Sequence, residues 1–351
     1  MKPLKILYIT YIDMDTATSG STVRPIAMLS ALRAAGHDVT LIAGEQTRRF
    51  ARWKTVLKAL TRPIQADLCY IESPSGPIFN ICDHWLLRKI KRAGIPTSIF
   101  YRDAYWMLDE HYQLRGLKRA VINAMHRHDL RVFRRTCDCV FFPTDSMARY
   151  FDFPHQAVLP PAGEAREPEE KKIFDTVVYA GCVSVGSGES MLLEAMDIVN
   201  RTRPVRLELI VRPKEMGPVE PYLDRDWLHV QHISGKELED VYARSDFSVI
   251  PRKKYGYMDL SMPVKLFQCL SYNLPLIVTD CTEMQQFVES NHVGLSCADN
   301  PQALADAILE MYSDPQRIAQ FRAACFQCMR RNRWSDRVDA MIEETLKTKE
   351  I

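Results

Sequence analysis

The sequence of 351 residues has no apolar stretch long enough to cross a membrane. Its longest apolar runs, such as residues 274–278, are far shorter than the about 20 residues that a spanning helix needs. The first fifteen residues contain lysines and an apolar run, but Tyr8 and Thr10 interrupt the run, Asp13 ends it, and no small-residue cleavage site follows. We therefore expect a buried strand there, not a signal peptide, and a cytoplasmic protein.

Cysteine patterns typical of metal sites are also missing. The ten cysteines lie mostly among apolar residues, where cysteine behaves as a small hydrophobe. Cys137 and Cys139 form a C-x-C pair and Cys325 and Cys328 a C-x-x-C pair, but neither has a second pair at the spacing of a zinc site. We expect reduced thiols, no bound metal and no cofactor.

Net charge is nearly absent, at +2, but its distribution is uneven. Residues 1–165 hold 23 Lys and Arg against 15 Asp and Glu, and the remainder holds 23 against 29. Two basic clusters, 48–62 and 115–135, dominate the first half. Such clusters suit an anionic membrane surface, or they are solvated faces over a packed apolar stripe. Because no nucleic-acid-binding motif accompanies them, we expect no nucleic-acid partner.

Strand-like and helix-like segments alternate through both halves of the chain. Short apolar runs such as residues 5–10 alternate with segments of helical periodicity, and the alternation restarts at 176–181 after a linker-like stretch at 153–172 that is rich in proline and charge. This order predicts an α/β protein of two doubly wound Rossmann-like parallel-sheet domains with a cleft between them for ligands. The predicted division is an N-terminal domain at 1–165, a C-terminal domain at 166–330, and a C-terminal helix at 331–351 that packs back on the N-terminal domain.

Four segments, taken in order, resemble a known family. Residues 177–196 (VVYAGCVSVGSGESMLLEAM) and 229–251 (HVQHISGKELEDVYARSDFSVIP) are similar to the strand, loop and helix units of its second domain. Residues 261–297 resemble its donor-site helix and following strand, and 19–43 its first glycine-containing loop and helix. The family is that of the group 1 (family 4-like) glycosyltransferases, which have the GT-B fold. The resemblance implies transfer of a sugar from a nucleotide-diphosphate sugar to a glycan or lipid-linked acceptor, with retention, in polysaccharide biosynthesis.

The resemblance gives the helix after Met262 a role in binding the donor. In the family, the pyrophosphate lies over helix starts in the second domain, beside basic side chains. Pro263 suits the first position of a helix, Ser261 is a candidate capping residue, and free N–H groups at a helix start accept phosphate. Lys265 would then neutralise phosphate oxygens. The alternative is a solvated surface lysine with no ligand.

The sequence departs from the family pattern at its acidic pair. The E-x7-E positions of the family correspond to Leu260 and Gln268. Gln268 can still hydrogen-bond ribose hydroxyls, although more weakly than a carboxylate. The adjacent Asp259 is the candidate to replace the first acid.

It also departs at two basic positions of the first loop of the second domain. These correspond to Cys182 and Ser187, so both loop cations are missing. We expect Arg252, together with Lys265, to take over the phosphate role. The remaining donor-site candidates are Gly181, Ser184, Tyr257, Met262 and Val264.

Candidates on the acceptor side lie in the first half. Gly20 and Ser21 can bring backbone close to the phosphates or the acceptor. Arg24 follows at a helix start, where it meets an anionic acceptor or caps a surface turn. Arg102 and Asp103 end a predicted strand, and Asp103 is the closest titratable candidate to position the acceptor hydroxyl; a structural pairing of the two is the alternative.

Rival motifs are incomplete. The D-x-D triplets at 13–15 and 224–226 match those of metal-dependent glycosyltransferases of the other common fold, but neither lies in the expected context. Residues 181–188 have the glycine spacing of a phosphate loop without its lysine. The functional alternatives are a sugar-nucleotide epimerase of the same fold and a catalytically silent GT-B scaffold subunit.

Overall fold

The chain divides into two compact units. One comprises Met1–Pro161 and Trp334–Ile351, and the other Ala162–Arg333. The sequence predicts boundaries at 165 and 330. The structure is a computed structural model, and it describes residues 2–14, 20–108, 114–169, 172–186 and 188–347.

The first unit contains a six-stranded sheet in the order β2-β1-β3-β4-β5-β6, in which every neighbouring pair is parallel. Its strands are short apolar runs, and most of their side chains are buried. The elements are β1 (Lys5–Thr10), α1 (Gly20–Ala34), β2 (Asp38–Ile42), α2 (Arg49–Leu60), β3 (Leu68–Glu72), α3 (Ile81–Arg92), β4 (Thr97–Phe100), α4 (Tyr105–Leu108), α5 (Gly116–Thr136), β5 (Cys139–Phe142), α6 (Asp145–Ala148) and β6 (Gln156–Val158).

The second unit repeats this plan with a parallel sheet in the order β12-β11-β10-β7-β8-β9. Apolar clusters cover the sheet and the helices packed on it. The elements are β7 (Thr176–Ala180), α7 (Met191–Asn200), β8 (Arg206–Ile210), two short 3-10 helices (Pro213–Glu215 and Glu220–Tyr222), β9 (Leu228–Gln231), α8 (Lys236–Ala243), β10 (Phe247–Ile250), α9 (Gly256–Leu260), α10 (Val264–Leu270), β11 (Leu276–Thr279), α11 (Thr282–Ser290), β12 (Gly294–Cys297), α12 (Pro301–Ser313) and α13 (Pro315–Met329).

The last helix, α14 (Trp334–Lys347), belongs to the first unit. It packs against α1 and against β3 and β4. The Thr345 hydroxyl donates to Ser98 Oγ at 2.8 Å, and the Arg337 guanidinium donates to the carbonyl oxygens of Pro160 and Pro161. The chain thus returns to its first unit after completing the second.

The predicted class is confirmed, since both halves are doubly wound parallel sheets. One part of the prediction is wrong: the stretch at 153–172 is not only a linker, because β6 lies within it and forms the edge of the first sheet. This strand has three residues between prolines, which is too short for a period-two pattern to be visible. Among the described residues, no helix is both long and apolar enough to span a membrane.

Candidate functional site

Lys265 is the second residue of α10, at the carboxyl edge of the second sheet. The helix begins at Val264, one residue later than expected, because Pro263 has extended backbone angles (φ −76°, ψ 139°). The expected cap by Ser261 is wrong, since no side chain caps this helix. The Ser261 hydroxyl instead accepts from Arg252 Nη1 at 2.8 Å and donates to the Met258 carbonyl oxygen.

Asn273 marks the end of α10. Asn273 adopts a left-handed conformation (φ 55°) just beyond the last turn, and Leu274 N donates back to the Cys269 carbonyl oxygen. Asparagine tolerates this conformation better than most residues, so it ends a helix well. Lys265 lies in the first turn of this seven-residue helix.

The Lys265 side chain is half-buried rather than solvated. Its Nζ donates to Tyr179 Oη at 2.9 Å and lies 4.5 Å from the centroid of that ring. Burial, followed by repulsion from Arg252, lowers the pKa of Lys265 to about 8. Near neutral pH the ammonium is charged, and in the described part of the chain no carboxylate lies within ion-pair distance of it.

Tyr179, the penultimate residue of β7, holds this ammonium in place. Its ring is buried, and burial, followed by the charge of Glu189, raises the pKa of the phenol well above its usual value. The hydroxyl therefore stays protonated. It donates to the Cys182 carbonyl oxygen at 2.5 Å while accepting from Lys265.

The loop after β7 passes directly over this pair. Gly181 has φ +152°, and a Cβ added there would lie 2.5 Å from Lys265 Nζ and 3.2 Å from Tyr179 Oη. Gly188, at φ +94°, approaches the next loop so closely that a Cβ would lie 2.7 Å from Lys253 N. Glycine is thus needed at both positions. Ser184 lies between them, where its carbonyl oxygen accepts from Ser190 N, and Ser187 lies outside the described residues.

Arg252 follows β10 and is the second cation of the site. Its backbone exchanges two hydrogen bonds with the Thr279 hydroxyl, which fixes the loop to the end of β11. The half-buried guanidinium donates from Nη1 to Ser261, while its buried Nε has no hydrogen-bond partner among residues that the structure describes. Within the same limits, no carboxylate is paired with it. Glu189 acts on Lys265 only from beyond ion-pair distance, so among the described residues the two cations have no directly paired carboxylate, which suits a phosphate.

The other donor-side candidates surround this pair. Gln268 is half-buried one turn beyond Lys265 on α10, so the two side chains share a helix face. Tyr257 is buried in α9, and Met262 and Val264 are half-buried before and at the start of α10.

Asp259 is occupied elsewhere. One of its oxygens accepts from Thr282 N at 2.6 Å and the other from Thr282 Oγ1 at 3.1 Å, so it satisfies the start of α11. A carboxylate at a helix start is favourable on its own account.

Sequence reasoning missed three groups of this site. Tyr179 and Thr279 lie in predicted strands, where nothing marks a hydroxyl as functional. Asp280 directly follows β11, and its buried Oδ1 has no hydrogen-bond partner among described residues. A polar residue at the carboxyl end of a strand is the available signal, because ligands bind at that edge of such sheets.

Arg24 requires a correction. Its side chain is 2% exposed and lies inside the first unit, paired with Glu72 at 3.0 Å. It also donates to the Leu159 carbonyl oxygen and lies over the Phe100 ring, 3.5 Å from the centroid. Both interpretations, contact with an acceptor and capping of a surface turn, need an accessible guanidinium. Neither describes a buried arginine already neutralised by a carboxylate.

The remaining first-unit candidates lie at other strand ends. Arg102 and Asp103 follow β4 and pair with each other at 3.6 Å, and the Arg102 N–H donates to Ser73 Oγ. This is the structural pairing that the sequence offered as an alternative. Gly20 and Ser21 begin α1, and only their backbone is described.

The basic clusters form α2 and α5. Not every cation of the first cluster is at the surface, because Arg52 is fully buried and pairs with Asp83 at 2.6 Å. Phe50, by contrast, is 67% exposed and stacks with the exposed Trp53. In the described parts of the chain, no group of three or more His, Cys, Asp or Glu residues could hold a metal ion.

The whole chain has the fold of known glycosyltransferases. The sucrose-phosphate synthase of Thermosynechococcus elongatus superimposes with a TM-score of 0.71 at 15% identity over 99% of both chains. A glycosyltransferase of Rickettsia africae gives 0.69 at 10% identity over all of both chains. Anabaena HepE, solved in complex with UDP and glucose, gives 0.66 at 13% identity over 98% of this chain and all of its own. No curated protein sequence matches the chain.

These likenesses and the two parallel sheets define a protein of GT-B fold. The sequence relationship is more specific, because residues 175–314 match the model of the family described as glycosyl transferases group 1. The matched stretch lies in the second unit, which holds Lys265 and Arg252, and together with the fold it indicates a glycosyltransferase that uses a nucleotide-sugar donor.

Proposed function

We propose that Lys265 and Arg252 bind the diphosphate of the nucleotide-sugar donor in a family 4-like, retaining transfer. The observation that carries this proposal is the pair of neighbouring, half-buried cations under the loop at Gly181, with no carboxylate at ion-pair distance among the residues that the structure describes. A buried cation is costly unless an anion compensates it. The diphosphate supplies that anion, and the loop glycines let it approach the backbone.

The same pair supports the chemistry. When the bond between sugar and diphosphate breaks, negative charge develops on the leaving phosphate oxygen. Fixed cations stabilise that charge more in the transition state than in the ground state, which accelerates the step. Tyr179 holds the Lys265 ammonium in position. Gln268, on the same face of α10, hydrogen-bonds hydroxyls of the donor ribose or sugar.

We propose further that transfer needs no bound metal, because the two side chains provide the charge that a divalent cation would otherwise supply. Activity that persists at full rate with excess EDTA supports this; loss of activity restored by Mg²⁺ or Mn²⁺ overturns it.

The acceptor belongs to the proposal as well. We propose a glycan or lipid-linked acceptor, with the enzyme in the cytoplasm at the inner face of the membrane and the clusters 48–62 and 115–135 facing that surface. The exposed Phe50 and Trp53 between cations of the first cluster support this, since such mixtures favour an anionic interface. Asp103 is the proposed group that positions the acceptor hydroxyl, in company with Arg102.

A thermal-shift panel with UDP, GDP, ADP, CDP and TDP tests the donor site. A nucleotide at a hundredfold excess over its Kd adds about 2.7 kcal/mol of stability. We expect one nucleotide to stabilise the wild type and Lys265→Ala to lose the shift. Lys254→Ala, an exposed neighbour, is the matched control and should keep it. Equal shifts in both variants contradict the assignment of Lys265 to the diphosphate. In a separate product assay, conversion of the donor without acceptor would indicate an epimerase.

A further inference from the structure

A surface cavity of about 250 Å³ lies between α3 and α5 in the first unit, whereas Lys265 and Arg252 belong to the second. Six of its eight lining residues are basic, three from each helix, and Val132 and Thr136 complete the lining. The basic residues are Arg88, Lys91 and Arg92 of α3 and His128, Arg131 and Arg135 of α5.

The spacing explains why these side chains converge. Residues 88, 91 and 92 are three and four apart, as are 128, 131 and 135 along α5, so each set forms one stripe on its helix. The two helices pack against each other. His84 hydrogen-bonds Asp129 at 2.7 Å, and the residues further along both helices share the cavity, so the stripes face each other.

The cations of the cavity are largely uncompensated. Lys91 pairs with Asp138 at the rim, and the nearby Asp129 is engaged with His84 and with the backbone of Ile78. Of the residues that the structure describes, none forms an ion pair with Arg88, Arg92, Arg131 or Arg135. The four guanidinium groups are exposed around one small surface cavity, where water and salt screen their mutual repulsion. Their convergence and the match of guanidinium to phosphate geometry suit an anion.

Both helices carry apolar side chains outward on the same faces, toward their N-termini. On α3, Ile81 (57% exposed) and Trp85 precede Arg88 and Arg92 at intervals of three and four residues. On α5, Leu117 (81% exposed) and Val121 precede His128 and Arg131 at intervals that keep them near the same face. A free phosphate would need only the cations. Exposed apolar and aromatic residues followed by arginines suit a lipid. The acyl chains would contact the apolar residues, and the phosphate of the headgroup would contact the arginines.

We propose that the cavity between α3 and α5 binds the phosphate groups of anionic membrane lipids, with Ile81, Trp85, Leu117 and Val121 entering the interface. The inference deepens the proposed association with a membrane and rests on that part of the proposed function. It does not depend on the donor site, which lies in the other unit.

The test uses cosedimentation with vesicles of phosphatidylcholine, with and without phosphatidylglycerol. The wild type should bind the anionic vesicles alone. Arg88→Glu/Arg131→Glu should weaken that binding by about tenfold or more, since each basic residue near an anionic surface contributes substantially. Arg33→Glu/Arg149→Glu has the same change in net charge at exposed arginines outside the cavity and both basic clusters, and it should bind nearly as the wild type.

A second arm separates lipid from free phosphate. Leu117→Ser should weaken binding to anionic vesicles, whereas inorganic pyrophosphate should compete poorly with them. Equal binding by the two double variants overturns the proposal. Stabilisation by pyrophosphate without any binding to vesicles overturns the lipid assignment. Nucleotide thermal shifts measured on every variant without vesicles report on the donor site separately, so failure of one proposal is distinguishable from failure of the other.

Discussion

At the scale of single residues, Lys265 combines two features that rarely occur together on a surface. It is half-buried against Tyr179, and another cation, Arg252, lies close enough to help lower its pKa to about 8. An anion placed between these groups favours the charged lysine and raises its pKa again. The affinity for that anion must therefore depend on pH.

The first prediction concerns this coupling. Between pH 8 and 10, the complex with a nucleoside diphosphate should hold more protons than the free protein, because Lys265 is partly neutral only in the free state. Binding should take up most of a proton near pH 9, and affinity should fall as pH rises through 8. Calorimetry in buffers of different ionisation enthalpy measures the uptake.

Lys265→Arg is the matched variant, since a guanidinium stays protonated throughout this range. It should bind without proton uptake near pH 9. Uptake that is unchanged in Lys265→Arg would assign the proton to another group and refute the coupling.

The second prediction concerns Arg24, which illustrates a buried ion pair. Removing one partner leaves the Glu72 carboxylate buried without its cation, which typically costs about 3–5 kcal/mol. Arg24→Met should therefore lower Tm by on the order of 10 °C. Arg33→Met, an exposed change on the same helix, should leave Tm nearly unchanged. Similar melting curves for the two variants, measured by circular dichroism, would contradict the structural role of Arg24.

At the scale of elements, the loop after β7 passes over both Tyr179 of that strand and Lys265 of α10. Gly181 sits at the point of closest approach, in a conformation that a side chain rarely adopts. The third prediction is that Gly181→Ala displaces the ammonium and weakens nucleotide binding about tenfold, consistent with strain of about 1–3 kcal/mol.

The control for this prediction is Gly217→Ala in the same unit, where an added Cβ meets nothing within 4 Å. It should bind nucleotide as the wild type does. If both alanine variants bind equally, the loop does not set the position of Lys265. Thermal shift and direct titration with the selected nucleotide provide both measurements.

Elements also show what sequence alone can predict. Buried strands such as β1 and β7 are visible because they are short apolar runs between turn residues. The start of α10 was predicted one residue early, since proline is compatible both with a first helical position and with the extended residue before it. The pairing of Tyr179 with Lys265 could not be predicted, because the two residues are 86 positions apart and meet only through the order of the strands.

The arrangement of charged side chains is likewise only partly predictable from sequence. The basic character of α5 is evident from sequence, but the cavity needs three further cations from α3, which a scan for local clusters does not combine with it. Arg24 and Arg52 read as surface cations, and each is neutralised by a distant carboxylate in the interior. Composition gives the number of charges, whereas packing decides which remain available.

At the scale of the whole molecule, the chain leaves its first unit at Pro161 and returns to it at Trp334. The fold of the first unit therefore depends on a helix made last, while the proposed nucleotide-sugar site lies in the second unit. A multidomain protein of this kind need not unfold in one step. A ligand of the second unit should stabilise that unit directly.

The fourth prediction uses two methionines that are both fully buried, Met341 in α14 and Met311 in α12. Truncation of either to alanine typically costs about 2–5 kcal/mol. Met341→Ala should lower a transition assigned to the first unit, and Met311→Ala one assigned to the second. The nucleotide selected by the panel should raise the temperature of the transition affected by Met311→Ala and leave that affected by Met341→Ala unchanged, because binding stabilises only the state that holds the ligand.

Calorimetry resolves the transitions, and limited proteolysis with mass spectrometry shows which unit opens. A single transition that nucleotide raises equally in both variants would mean that the units unfold together, so that the donor in the second unit also stabilises the α14 contacts of the first.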